Sequence, residues 1–532
     1  MQIEDVREEK IMLKSLSGNS VAFGAINYEN KTASGEVKTK TALFGVTDIH
    51  GNFSAMSRLV TASKEFTQKY NSTQRDTFKI SSGDIGLSSS EDRQRHSLDF
   101  LKKIGIDIAT LGNHEFDVGS AKLAKIILES PIKFVSSNFD VPVDNPLHAL
   151  MSKCNFPDNK DSTKKIFKSY IETKPNGEKY GFIGSLPTDM DKVVTGFEKL
   201  KINVFDFDKT KKALAEEINN LKKQGINKII FASHLRDQQD EEIAKDKETA
   251  GIDVIIAGHS HKKIEKVVMS AANEPVVIME AGENGANYSE MEVDFDKNGV
   301  IQKAVGEVKE TKIHKEDADF EKETSKKYGS KEPIGQIIDG IGSTGTVDEK
   351  NAAMSGIVTD IFKQETGAQI AFTNISASRK IPDGSISARE VITEIFPFEE
   401  ALIKVRLTEK ELIETLKISA EQPKFNMMLQ SSGLRYTIDL NSPQKIKDVK
   451  IVDIQGKPVE SLNAENPSDK KTYTAVYVKG FLYSGGLGYT SLKDKPIIQE
   501  YSKTFNDYFI DYVKSQKESI ILKHHESFSI IK

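Results

Sequence analysis

A layered α/β fold is predicted by two features of this 532-residue sequence. Short apolar runs recur from residue 41, and stretches with one apolar face alternate with them. A third feature predicts where a site would lie: the apolar runs end in clusters of Asp, His and Asn.

The elements follow in order. "TALFGVT" (41–47) reads as a strand and 54–70 as a helix. "TFKISS" (77–82) is a strand, 91–103 a helix and "IGIDIAT" (104–110) a strand. Residues 120–128 read as a helix and "IKFVSS" (132–137) as a strand. Further on come the strand "YGFIGS" (180–185), a helix over 210–223, and the strands "INKIIFAS" (226–233) and "IDVIIAG" (252–258). "EPVVIMEAG" (274–282) and "YSEMEVDFD" (288–296) are further strands. Four segments result. Residues 1–40 are an extension, 41–306 a first domain, 307–333 a charged and partly helical linker, and 334–532 a second α/β domain.

Composition narrows the class. Hydrophobic residues make up 37% and charged residues 29%, which suits globular domains with buried cores. The net charge of −5 carries no basic block, so no nucleic-acid duplex is expected as a partner. No apolar run approaches the length of a membrane span. The single cysteine, Cys154, allows no internal disulfide. The polar start "MQIEDVREEK" has no signal-peptide core, which fits either a chain that is not exported or a mature form carrying a new Met1.

Five clusters carry the chemistry. "VTDIHGN" offers Asp48 and His50, and "SSGDIG" offers Asp84. "LGNHEFD" offers Asn113, His114, Glu115 and Asp117. "FASHLRD" offers His234, and "IIAGHSH" offers His259 and His261. Imidazole and carboxylate donors without thiolate suit Zn, Mn, Co or Fe as divalent ions. Side chains two apart at a strand exit share a face, so Asp48 and His50 can grip one ion. His259 and His261 can do the same, or split across two ions. A carboxylate such as Asp84 must then bridge. Each cluster alone is an ordinary turn or helix cap; the set, in order and at strand ends, is not. His96, His148, His314, His524 and His525 lie outside such clusters and read as core or surface histidines.

This ordered set resembles the calcineurin-like metallophosphoesterase signature. "GNHEFD" and the stretch from "AQIAFTNISASRK" to "EKELIETL" narrow the resemblance to the bacterial 5′-nucleotidase and 2′,3′-cyclic phosphodiesterase family. The resemblance implies a four-layer αββα sandwich followed by a smaller C-terminal α/β substrate-binding domain. It implies two divalent metal ions. Asp48, His50 and His261 would hold one, Asn113, His234 and His259 the other, and Asp84 would bridge. His114 would act on the phosphate, with Asp117 orienting it, and Glu115 would be structural. The reaction implied is hydrolysis of a nucleotide phosphate ester by a metal-bridging hydroxide. The family also implies a periplasmic or cell-surface location.

In the second domain the resemblance places Phe398 and Phe481 as rings around a base, and Asn374 and Arg379 as polar contacts to base and phosphate. This sequence departs from the family there. "NISASR" lacks the usual glycines, and Leu487 in "SGGLGY" stands where an acid would hold the ribose. Near the domain start Lys350 replaces the usual arginine fork. A cyclic nucleotide, a nucleotide sugar, a non-nucleotide ester or a thiosulfate ester are therefore alternative substrates. A non-catalytic surface binder on the same scaffold is the alternative from another class.

Overall fold

The structure is a computed structural model that describes residues 25–30, 35–154, 161–194, 196–378, 381–525 and 527–531. The first domain is built on one hydrogen-bonded sheet that folds over on itself. Its main path runs through β1 (Ile26–Glu29), β2 (Val37–Val46), β3 (Asp76–Ser81), β4 (Ile108–Ala109), β5 (Lys133–Val135), β6 (Ile166–Thr173), β7 (Lys179–Ser185), β8 (Ile229–Ser233), β9 (Val254–Ala257), β10 (Lys263–Met269), β11 (Pro275–Ala281), β12 (Asn287–Asp296) and β13 (Ile301–Glu310), and a short strand, Met151–Cys154, pairs with β6 off that path. The order across the sheet is β1-β13-β12-β2-β3-β4-β5-β6-β7-β8-β9-β11-β10.

Helices cover both outer faces. α1 (Phe53–Tyr70), α2 (Glu91–Ile104) and α3 (Ser120–Glu129) pack on the β2–β5 half. α4 (Phe207–Lys223) and α5 (Asp237–Lys245) pack on the β7–β11 half. A third core lies between the two half-sheets and includes Leu43, Phe78, Ile80, Phe182, Ile230, Val254, Val277 and Val293. Three cores separate four layers, which is the αββα sandwich. Strands buried on both faces need near-continuous apolar runs, and "IIFAS" and "VIIA" are fully buried throughout.

The extension holds strands, and the partly helical linker packs as a helix. Within 1–40, Ile26–Glu29 pairs antiparallel with β13, and β2 starts at Val37. Ile26–Glu29 is an edge strand, and the first residues of β2, Val37, Lys38 and Lys40, are exposed, so neither stands out by composition. The rest of that extension lies mostly outside the described residues. Within 307–333, residues up to Glu310 continue β13, and α6 (Ala318–Tyr328) buries Phe320, Thr324 and Tyr328 against the first domain. His96 is part of that contact, with its ring 4.8 Å from Phe53 and 5.3 Å from Phe320.

The second domain has its own core, which runs from Ile337 to Leu522. A five-stranded sheet includes β14 (Ile370–Asn374) between Leu429–Ser432 and β16 (Thr472–Val478), with β15 (Ala401–Thr408) beyond. α7 (Val347–Thr366), held by a Thr346–Glu349 capping box, packs against β14. Among the described residues, no helix is long and apolar enough to cross a membrane.

Candidate metal centre

Every cluster sits just past the C-terminal end of a strand. β2, β3 and β4 are parallel neighbours and release Asp48 and His50, Asp84, and Asn113 with His114. β8 and β9 are parallel neighbours in the other half and release His234, and His259 with His261. The fold in the sheet brings both sets to one edge. Asp48, His50 and His261 offer donor atoms within 4.8 Å of one another, and so do Asp84, His234 and His259. His50, Asp84 and His114 form a third such group.

The loops are tied to one another by backbone. Asp48 N donates to Gly83 O at 3.0 Å, and His50 N to Asp84 O at 3.0 Å. Glu115 is the central clamp and is 1% exposed. Its Oε2 accepts from Asp84 N at 3.0 Å and Gly112 N at 2.6 Å, and its Oε1 from Ile85 N at 2.9 Å. Burial, then the charge of Asp84, pushes the Glu115 carboxyl up to about 7. Gly112 is needed for space: a Cβ there would collide with Asp84 Oδ1. Asp48, His50, Asp84, His259 and His261 all have positive φ, between 48° and 70°. Left-handed backbone at non-glycine residues is costly, and it clusters here, where it aims donors inward.

Each donor is oriented by a second contact. Asp84 Oδ1 accepts from His114 N at 2.8 Å, and its Oδ2 lies 3.1 Å from His234 Nε2 and 3.6 Å from His50 Nε2. His234 Nδ1 donates to Ser82 O at 2.5 Å, which frees Nε2. Asp48 accepts from His259 N at 3.0 Å and lies 3.4 Å from His261 Nε2. His261 Nδ1 lies 3.1 Å from Glu283. Burial opposes ionisation of Asp48 and Asp84, but the surrounding histidines outweigh it and hold both carboxyls below their ordinary value. The complementary effect drives His234 and His261 up to about 10, through Asp84 for His234 and through Asp48 and Glu283 for His261, against the cost of burial.

The residues fit a metal. Four buried polar atoms, His50 Nε2, Asn113 Oδ1, His234 Nε2 and His259 Nε2, make no well-aligned hydrogen bond, although the three imidazole nitrogens face carboxylate oxygens at 3.1–3.6 Å. Buried polar atoms without such a bond are rare, and four at one spot mark a place built for an electrophile. Two buried carboxylates among them need positive charge nearby. Divalent cations supply both.

His114 stands at the mouth, with its ring edge-on to His50 at 5.4 Å. Its Nδ1 donates to Asp117 Oδ2 at 2.9 Å. The motifs miss two carboxylates, Glu283 beside His261 and Asp189 beside His259. Asp189, in the loop after β7, has Oδ1 3.5 Å from His259 Nε2, and its Oδ2 accepts from Arg236 Nη2 at 2.6 Å and Nε at 3.2 Å. "SLPTDMD" has an Asp-x-Asp spacing but no histidine or asparagine beside it. Its position after an apolar run is the available signal.

The second-domain candidates are less tightly defined. Phe398 and Phe481 are both half-buried. Phe481 N donates to Glu400 Oε1 at 2.8 Å, which ties the loop of one ring to that of the other. Asn374 Nδ2 donates to Ser376 Oγ at 2.9 Å. Arg379 lies outside the described residues. Leu487 has a φ of 54° and packs against the domain core, and Lys350 pairs with Asp339 at 2.5 Å.

Comparison with known proteins places this geometry. Residues 43–263 match the calcineurin-like phosphoesterase family, and residues 333–494 match the 5′-nucleotidase C-terminal domain. The chain is 28% identical over 428 residues to the "Trifunctional nucleotide phosphoesterase protein YfkN" of Bacillus subtilis, an alignment covering 74% of this chain and 28% of that protein. It is 30% identical over 259 residues to the "Probable 5′-nucleotidase" of Treponema pallidum, covering 45% of this chain and 40% of that protein. The chain thus spans less than half the length of either relative. The solved 5′-nucleotidase precursor from Thermus thermophilus shares the fold over 93% of this chain and 99% of its own, with a TM-score of 0.66 at 21% identity. With its two matched domains in this order, the chain belongs to the calcineurin-like phosphoesterases that carry a 5′-nucleotidase C-terminal domain.

Proposed function

We propose that this chain is a dimetal-dependent phosphoesterase that hydrolyses phosphate esters of nucleotides. The observation that carries the reading is the convergence of buried imidazole, carboxylate and amide donors, four of them without an aligned hydrogen bond, around Asp48 and Asp84. Asp48, His50 and His261 would hold one ion, Asn113, His234 and His259 the other, and Asp84 both. Divalent ions, when bound, activate water and draw charge from the phosphoryl oxygens. The chain's own residues do the rest. With Nδ1–H engaged by Asp117, His114 presents Nε2 to the phosphate, where a proton can stabilise the leaving oxygen. Asp117 balances the imidazolium that this requires. Phe398 and Phe481 take the base between them, and Asn374 and Arg379 add polar contacts.

A second reading concerns the substrate only. Leu487 offers no acceptor to a ribose diol, and Lys350 is already paired with Asp339. These features favour a ligand held less by its ribose, such as a nucleotide sugar, a cyclic nucleotide or a non-nucleotide ester. An exported, cell-surface or periplasmic location is proposed from the family resemblance.

The test is direct. Chelator-treated protein is reloaded with Mn²⁺, Co²⁺ or Zn²⁺ and assayed on nucleoside monophosphates, cyclic nucleotides, nucleotide sugars and p-nitrophenyl phosphate. Metal-restored hydrolysis is expected. Metal uptake without turnover on any of them would instead support a surface binder. Asp84→Ala should lose metal and rate together, whereas His114→Ala should keep metal and lose rate.

A further inference from the structure

Two arginines, one from each domain, are each only 2% exposed. Arg93, on α2, reaches out of the first domain. Its Nη1 donates to Pro397 O at 2.8 Å and lies 3.6 Å from Glu399 Oε1. Arg389 reaches the other way. Its Nη2 donates to Glu321 Oε2 at 2.9 Å and its Nη1 to Ser325 Oγ at 3.3 Å, both on α6. A buried guanidinium is costly unless its donors are used, and Arg93 Nε has no partner. General packing would be met more cheaply by an apolar side chain. A fixed geometry is what such a contact provides.

The two arginine contacts fix the two ends of 388–400, "AREVITEIFPFEE", Arg389 near its start and Arg93 near its end. Its Phe396 is anchored in the second domain, 4.4 Å from the ring of Phe505. Residues 397 and 399, on either side of Phe398, are the ones Arg93 touches. Glu400, next along, accepts from Phe481 N. On the other side, α2 is the helix that follows the Asp84 loop, and Arg93 lies nine residues after Asp84. One side chain therefore spans from the helix behind a metal-binding loop to both neighbours of a candidate base ring.

We propose that Arg93 is a positioning residue that sets the distance between the metal centre and the Phe398–Phe481 ring pair, with Arg389 holding the same segment from behind. It selects substrates in which an aromatic base lies a ribose-length away from the phosphate. The proposal rests on the nucleotide-phosphoesterase reading. p-Nitrophenyl phosphate carries its ring directly on the phosphate, so it is hydrolysed without using the distance that Arg93 sets.

The test compares Arg93→Met and Arg93→Lys with the unaltered full chain, loaded with the metal that supports turnover. KM and kcat are measured on the best nucleotide and on p-nitrophenyl phosphate, with amide hydrogen exchange over residues 396–400. Arg93→Met should raise nucleotide KM roughly tenfold or more, the effect expected when a stacking contact is misplaced. It should leave kcat/KM for p-nitrophenyl phosphate within about twofold. Exchange at 398–400 should quicken. Arg93→Lys keeps the charge but not the fork, and should fall between. Equal losses on both substrates, or unchanged nucleotide KM, would overturn the proposal, as would unchanged exchange at 398–400. Should Arg93→Met fail to fold, Glu399→Gln removes one partner of the pair and should shift nucleotide KM in the same direction. An unaltered protein that turns over neither substrate would refute the phosphoesterase reading instead, and the exchange experiment would still report on the contact.

Discussion

Glu115 offers the sharpest separation between structure and chemistry in the candidate centre. It sits between Asn113 and Asp117, the position a catalytic acid would occupy in a naive reading, yet both its oxygens are spent on backbone. Three buried N–H groups, from Asp84, Ile85 and Gly112, converge on one carboxylate. Glu115→Gln keeps the shape. Its amide oxygen can still accept from Asp84 and Gly112 but without charge, costing about 1 kcal/mol for each bond. Its amide NH₂ then faces Ile85 N–H, donor to donor, at about 1–3 kcal/mol. Against this, the neutral amide is relieved of the burial that raises the carboxyl to about 7. The balance is a small loss, about 0–2 kcal/mol. Glu115→Ala strands all three donors and should cost about 3–6 kcal/mol. Urea unfolding measures the stability and elemental analysis the metal content, which should fall because the Asp84 loop loses its tether. A Glu115→Gln protein with unaltered stability and full metal but a thousandfold lower turnover would refute this account and make Glu115 a participant in the reaction.

Further outcomes follow from other contacts. Asp189→Asn should weaken metal binding several-fold in a chelator-competition titration, because a carboxylate charge 3.5 Å from the His259 Nε2 donor is lost; unchanged affinity would remove Asp189 from the centre. Adding chelator should lower the melting temperature, and metal at about a thousandfold over its Kd should restore about 4 kcal/mol. His96 is held down to about 4 by burial and by Lys327. A histidine whose folded pKa lies below its unfolded one keeps its full contribution above about 6.5 and loses it as pH falls towards 4. The wild type should therefore lose about 3 kcal/mol over that window relative to His96→Gln, measured by denaturant titration at each pH, and parallel pH curves would show that His96 does not govern the α6 contact.

The candidate metal-binding clusters are readable in the sequence because each occupies a few consecutive residues after an apolar run, and parallel strands release such residues at one sheet edge. The means by which they are held is not readable. Nothing in "GDIG" or "GHSH" signals that Asp84, His259 and His261 adopt positive φ, since that conformation is imposed by contacts from loops far away in sequence. Asp189 and Glu283 are invisible for the same reason: each touches a histidine across the site, but its own segment contains no histidine. The edge strand Ile26–Glu29 and the helix Ala318–Tyr328 read as extension and linker because their partners, β13 and α1–α2, supply the burial that their own sequences do not advertise.

The substrate half resists sequence reading for a different physical reason. A metal ligand must present one of a few donor atoms, so residue type nearly specifies role. A ring that stacks on a base presents the same atoms as a ring in a core, and only its exposure and its distance from the phosphate separate the two. Phe396 and Phe398 illustrate this within three residues. Phe396 is 1% exposed and packs on Phe505 and Phe509, whereas Phe398 is half-buried beside the carbonyl that Arg93 grips. Specificity in such a site is a distance between two domains more than a set of residues, and that distance is carried by interdomain contacts such as Arg93 with Pro397. A change of preferred substrate within this architecture therefore needs no change at the metals or at the rings. Moving the segment that bears Phe398, through Arg93, Glu399 or Arg389, is sufficient.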